Sequence, residues 1–267
     1  MAMLERPNGD LYFDVCDIVP PWIEKETVLF LHGLAIDSDI WVSWLAPLAD
    51  RYRIIRTDLR GFGRSFIPEP GSAWSIDQIV DDVLDVMDAT DTQRVHFAGE
   101  STGGTAGLFL SAEHPDRIHS LTTVSAAHHG GAIQLSQALR DEVASLGMDA
   151  WSEKMMGLRF HPESLSDEMY TWFHDVQRRS SPDACMALVD MLVGCDCSDR
   201  LPAIDTPTLI LAPDDSPFIS VEAQVERLRA MPNAELAVIA NARHGLSHSH
   251  GPECANVLRR FLDGLAR

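Results

Sequence analysis

The sequence predicts an α/β fold built on a mostly parallel sheet. Two observations carry that expectation: strand-length apolar runs alternate with helix-period segments through the first half, and the same rhythm returns near the end of the chain. Alternation of this kind puts helices into the strand-to-strand connections, which favours parallel strands, right-handed crossovers and a sheet covered on both faces. A chain of 267 residues can bury such a core without disulfides or metals.

In chain order, residues 11–15, 28–31, 53–57, 95–98 and 121–125 are short, apolar or β-branched runs and read as strands. The clearest helix spans 76–87, where Ile76, Ile79, Val80, Val83, Leu84 and Met87 share one face. Ser75 and Gln78 make a capping box at its start, and the intervening aspartates read as a solvated face. From about residue 130 to 201 the alternation stops and the chain becomes helical and rich in Met, Trp and Phe. A strand at 208–212, a helix from about 220 to 231 ended by Pro232, a strand at 235–239 and a last helix opening near Pro252 complete the reading. The expected division is a core of 1–130 and 201–267, with 131–200 as a helical insertion.

Charge narrows the function classes. With 21 Lys+Arg against 40 Asp+Glu the net charge is −19, which repels phosphate backbones and anionic lipid, so neither nucleic acid nor a membrane surface is an expected partner. The five cysteines are odd in number and scattered, which suits reduced thiols. The first ten residues lack an apolar signal core, and no run reaches membrane-spanning length. A cytoplasmic protein is expected, with homo-oligomerisation left open.

The strand at 95–98 runs into Gly99-Glu100-Ser101-Thr102-Gly103-Gly104 and then a helical stretch, which is G-x-S-x-G at a strand-to-helix junction. Such a turn pushes the serine hydroxyl out of the sheet, and its glycines avoid backbone collisions. A serine hydroxyl needs a base, and His244, a short loop after the strand at 235–239, is the candidate; His248 and His250 are its rivals. Acyl transfer also needs oxyanion donors, expected from the backbone N–H of Thr102 and, after the strand at 28–31, of Leu34. His32 and the glycine-bearing loop from Asp58 to Ser65 read as structural. No metal is expected, because neither the His244, His248, His250 group nor Cys195-Asp196-Cys197 has a matching ligand set.

Taken together, His32-Gly33, the stretch Asp58-Leu59-Arg60-Gly61-Phe62-Gly63-Arg64-Ser65, Gly99 to Gly104, and His244 with His248, Pro252 and Glu253 resemble the α/β-hydrolase superfamily. The likeness is to its small cofactor-free branch, which holds 3-oxoadipate enol-lactonases, carboxylesterases, haloperoxidase-type esterases and meta-cleavage-product hydrolases. Glu100, Thr102 and Arg243 depart from residues common at those positions. The resemblance implies an α/β-hydrolase fold in which 131–200 is a lid over the site, no cofactor, and a Ser-His-Asp triad. It implies a triad acid in one of two loops, and only Pro213-Asp214-Asp215-Ser216-Pro217 offers carboxylates. Many relatives carry the acid immediately before a proline, where Ser216 stands here. Reading the loop as one residue short favours Asp215, with Asp214 as rival.

The expected reaction is hydrolysis of a carboxylic ester or lactone through an acyl-enzyme on Ser101, with a small apolar molecule as substrate. Alternatives are C–C hydrolysis of a vinylogous diketone on the same residues, or a slow-turnover ligand receptor of this fold. Candidate substrate contacts are Trp151, Met155 and Trp172 from the aromatic- and Met-rich insertion, and His128 and His129 at its junction with the core.

Overall fold

The computed structural model describes residues 2–134 and 136–265. Its centre is an eight-stranded sheet of β1 (Ala2–Leu4), β2 (Leu11–Cys16), β3 (Glu26–Leu31), β4 (Tyr52–Thr57), β5 (Val95–Glu100), β6 (Ile118–Val124), β7 (Thr208–Pro213) and β8 (Ala234–Ile239). Their order is β1-β2-β4-β3-β5-β6-β7-β8. Pairing is antiparallel at β1–β2 and β2–β4 and parallel from β4 to β8. The α/β expectation is met. The edge strand β1 goes beyond the sequence reading, because its three residues, Ala2–Leu4, are too few to show a strand period.

Helices occupy the connections: α1 (Val42–Leu48), α2 (Ile76–Ala89), α3 (Thr102–Glu113), α7 (Val221–Ala230), α8 (Leu246–Ser249) and α9 (Gly251–Leu265). Between β6 and β7 lie α4 (Ser136–Arg159), bent at Gly147, α5 (Asp167–Arg179) and α6 (Pro182–Gly194). Strand residues alternate between two cores. Val28, Phe30, Ile54 and Ala98 pack with the α1 and α9 side, whereas Leu29, Leu31, Ile55 and Phe97 pack with the α2 and α3 side. Burial on both faces explains why the central strands read as continuous apolar runs.

On α2 the capping box forms: Gln78 N–H donates to Ser75 Oγ, and Ser75 N–H to Gln78 Oε1. One aspartate departs from the expected solvated face. Asp82 is buried because the Arg60 guanidinium grips both its oxygens at 2.6 Å and Arg6 adds a third contact. A forked arginine matches a carboxylate well enough to offset its desolvation.

Candidate active site

The β5–α3 turn holds Ser101 at φ 51° and ψ −114°, a left-handed conformation that costs an L-residue about 1–3 kcal/mol. The surroundings enforce it. Ser101 N–H donates to Val124 O at 2.8 Å, and Thr105 N–H donates to Ser101 O at 3.0 Å. A Cβ on Gly99 would strike the Gly103 backbone, and one on Gly103 would strike the carbonyl of Leu31 on β3. Those two glycines let the turn close against the sheet.

His244 follows β8 and places Nε2 3.3 Å from Ser101 Oγ, a separation that permits proton transfer between them. The His244 loop is tied down by Gly245 N–H donating to Arg159 O at 3.0 Å and by Phe218, whose ring centroid lies 4.8 Å from the imidazole. Burial, reinforced by the positive charge of Arg159, drives His244 down to about 3, so its imidazole is neutral at ordinary pH. Ser101, His244, Leu34, Thr102, Met155 and Arg159 line one cavity.

Neither candidate acid meets the imidazole in the structure. His244 Nδ1 is buried without a hydrogen-bond partner. The Asp215 carboxylate instead meets Arg243 Nε at 3.0 Å and His161 Nε2 at 3.5 Å, and is more than half exposed. Its rival Asp214 accepts the N–H groups of Asn241 and Ala242 at 2.9 and 3.0 Å. The reason is local: Asp214 N–H donates to Ile239 O and Asp215 N–H to Ala242 O, which extends the β7–β8 pairing into the loops and turns both carboxylates to structural tasks. Ser216 Oγ accepts the N–H groups of Phe218 and Ile219.

Of the five expected substrate contacts, Met155 lines the cavity and the others do not. Trp151 is fully buried in the core, and Trp172 meets Phe173 edge-on and lies tilted against His248. His128 O accepts the N–H of Cys197, while His129 pairs with Asp196 in an isolated bridge. Those contacts make the two histidines part of the junction between β6 and the helical segment. His248 Nε2 lies 3.2 Å from Met169 O and anchors α5. Among the described residues no cluster of metal-ligating side chains occurs. His32 is structural as expected: its Nδ1 lies 2.8 Å from Gly33 O, and its Nε2 accepts the N–H of Leu59, which assigns the proton to Nδ1.

Two buried charged groups went unanticipated in the site. Glu100 accepts the N–H of Gly33 at 3.2 Å, and burial pushes it up to about 7 against the pull of Arg159. Arg159, at the end of α4, donates to Leu34 O at 3.0 Å. A signal existed: Arg159 sits with Met155, Met156 and Phe160 at helical spacing, a cation within a buried stripe.

A family described as alpha/beta hydrolase fold matches residues 26–250. A Caulobacter segnis protein assigned as a carbamate hydrolase, RutD, is 27% identical over 259 residues, covering 94% of this chain and 97% of its own. The 3-oxoadipate enol-lactonase 1 of Acinetobacter baylyi is 27% identical over 204 residues, 73% of each chain. Among solved structures, the enol-lactonase from Burkholderia xenovorans LB400 superposes with a TM-score of 0.89 at 21% identity, covering 98% of this chain and 100% of the other.

Proposed function

The chain belongs to the alpha/beta hydrolase fold family, and from that premise we propose that it is a serine hydrolase cleaving a carboxylic ester or lactone. The observation that carries this reading is the 3.3 Å contact between His244 Nε2 and the hydroxyl of a serine held at positive φ on the β5–α3 turn. In the proposed cycle Ser101 Oγ attacks the acyl carbon while His244 Nε2 takes its proton, then passes it to the departing alkoxide. Water attacks the acyl-enzyme with His244 again as base, releasing the acid and restoring the serine. The N–H groups of Leu34 and Thr102 hold the oxyanion; both residues line the cavity beside Ser101.

The reacting pair is a dyad rather than a triad in this reading, because neither Asp214 nor Asp215 contacts His244 Nδ1. The helical segment α4–α6 serves as the lid, and its Met155, with Phe218 from the core, gives the substrate an apolar bed. The names of the relatives, a carbamate hydrolase and an enol-lactonase, both describe acyl-group hydrolysis and support the same reaction class. Fluorophosphonate labelling followed by peptide mapping tests the assignment, alongside turnover of a 4-nitrophenyl alkanoate. Label on Ser101 and turnover abolished in Ser101→Ala are expected. Label on another residue, with full activity in Ser101→Ala, ends the reading.

A further inference from the structure

The loop that leaves β3 is tied to the β5–α3 turn by a carboxyl group for which the reaction itself has no use. Glu100, the last residue of β5, is 1% exposed; its Oε2 accepts the N–H of Gly33 at 3.2 Å, and its Oε1 has no partner. Burying a carboxyl group for one hydrogen bond is costly, so that bond is where its purpose is to be sought. Gly33 lies so close to the turn that a Cβ there would stand 2.9 Å from Ser101 Cβ and 3.0 Å from Glu100 Oε2. The next peptide unit is anchored as well: Gly33 O accepts the His32 Nδ1–H at 2.8 Å, and Leu34 O accepts Arg159 Nη2 at 3.0 Å. Gly33 O and the Leu34 N–H belong to one planar trans peptide and point in opposite directions, so whatever fixes Gly33 also aims that N–H. Among the described residues no protein group accepts it.

We propose that Glu100 is a positioning residue: its bond to the Gly33 N–H holds the Leu34 N–H ready for the oxyanion that forms when Ser101 attacks. The inference rests on the serine-hydrolase reading and concerns how that same site is assembled. Residues 100 and 101 are consecutive, and both are pinned to β6, Glu100 by its register with Val124 and Ser101 by its N–H bond to Val124 O. The nucleophile and the anchor of the oxyanion loop therefore share one rigid strand end, although Gly33 stands 67 residues earlier in the chain. An oxyanion donor lowers the barrier only when it is already aimed at the point where charge develops, so a small drift of the loop forfeits most of its effect. From the opposite side Arg159, at the end of α4, takes hold of Leu34 O, so side chains of opposite charge clasp two adjacent residues of the loop between sheet and lid. Reach matters as much as charge. Glutamate spans to the Gly33 N–H, an aspartate would stop one methylene short, and a carboxyl oxygen accepts that N–H whether or not the group is ionised.

A purely structural role, in which Glu100 only fills space under the loop, makes a different forecast, and three variants separate the two. Glu100→Gln keeps an acceptor oxygen at the same reach, Glu100→Asp keeps the charge without the reach, and Glu100→Leu keeps only the bulk. Turnover of a 4-nitrophenyl alkanoate is measured together with inhibition by an alkyl trifluoromethyl ketone and by the matching alkyl methyl ketone. Ser101 Oγ adds to the trifluoromethyl ketone carbonyl carbon while His244 takes the hydroxyl proton, and the carbonyl oxygen becomes an alkoxide where the oxyanion would sit; the methyl ketone binds without that adduct. Glu100→Leu and Glu100→Asp are expected to lose about a hundredfold in kcat and in kcat/KM alike, and the same factor in affinity for the trifluoromethyl ketone, with methyl ketone affinity kept within about threefold. Glu100→Gln is expected to stay within about tenfold of wild type throughout. The proposal is overturned by a Glu100→Leu variant with kcat within about threefold of wild type, by a loss shared equally between the two ketones, or by a Glu100→Gln variant as impaired as Glu100→Leu. Should Glu100→Leu not fold, Glu100→Asp and Glu100→Gln decide by the same criteria. Wild-type turnover and labelling at Ser101 with no such differences among the variants remove this inference and leave the hydrolase reading standing; no labelling and no wild-type turnover remove both.

Discussion

The turn between β5 and α3 and the loop after β7 lie at the same edge of the sheet, yet they are built on different principles. The first is held by backbone: Ser101 N–H bonds to Val124 O, and Gly99 and Gly103 bring the turn against the Gly103 and Leu31 backbone too closely for a side chain to fit there. The second depends on side chains, and its two carboxylates are consumed by neighbouring N–H groups and by Arg243 and His161. The position of Ser101 is therefore a property of the fold, whereas what stands beside His244 Nδ1 is a property of one or two residues.

The largest expected effect lies in the first region. Ser101→Ala should cut turnover on the order of 10⁴-fold or more with an unchanged melting temperature, as steady-state kinetics and thermal unfolding will read. Gly103→Ala should instead destabilise the protein by about 3 kcal/mol in urea unfolding, because its methyl group meets the Leu31 carbonyl. Wild-type stability in that variant would mean that the turn is looser than described.

Acid–base behaviour sharpens the contrast. With His244 held near 3, the acid limb of kcat/KM should fall below pH 5 rather than near the ordinary histidine value of 6.5. Any inflection close to pH 7 should belong to Glu100 and vanish in Glu100→Gln. The same carboxyl links to folding. The folded protein keeps the Glu100 proton up to about 7, while the unfolded chain releases it near 4.5. Its contribution to stability is thus complete below 4.5 and is lost as pH rises through 7, so wild-type stability should slope downward across that window relative to Glu100→Gln.

The smallest effects are expected in the β7 loop. Asp214→Ala should cost about 1 kcal/mol through its two lost backbone hydrogen bonds. Asp215→Asn should cost less than about 1 kcal/mol, being an exposed pair, and should change turnover by less than about threefold. A loss of a hundredfold or more in Asp215→Asn would show that this carboxylate reaches His244 during catalysis and would break the dyad reading.

Much of the fold is legible in the sequence. Strands β2 to β8, the α2 capping box and the glycine-flanked serine were all read from the chain, since each is written within about a dozen neighbouring residues. The approach of His244 to Ser101 follows from the same short-range logic, since a histidine in the short loop that ends β8 sits at the edge of the sheet beside the β5–α3 turn. The failures share a different cause. Trp151 and Trp172 have the residue type of a pocket lining, yet Trp151 is buried in the core and Trp172 lies against Phe173 and His248, because hydrophobicity reports burial without reporting which surface does the burying.

The sequence by itself determined the α/β class and the tight serine-bearing turn after β5, because periodicity and backbone sterics act over short stretches of chain. Only the tertiary structure decided that Asp214 and Asp215 serve the loop rather than His244, and that Arg159 ends buried beside Ser101. Those outcomes hang on which atoms meet across long separations: Asp214 finds Asn241 and Ala242, and Arg159 finds the carbonyl of Leu34, 125 residues away. A charged side chain takes the partner that desolvation and geometry leave within reach, and that partner is settled when the sheet and the α4–α6 segment close on each other.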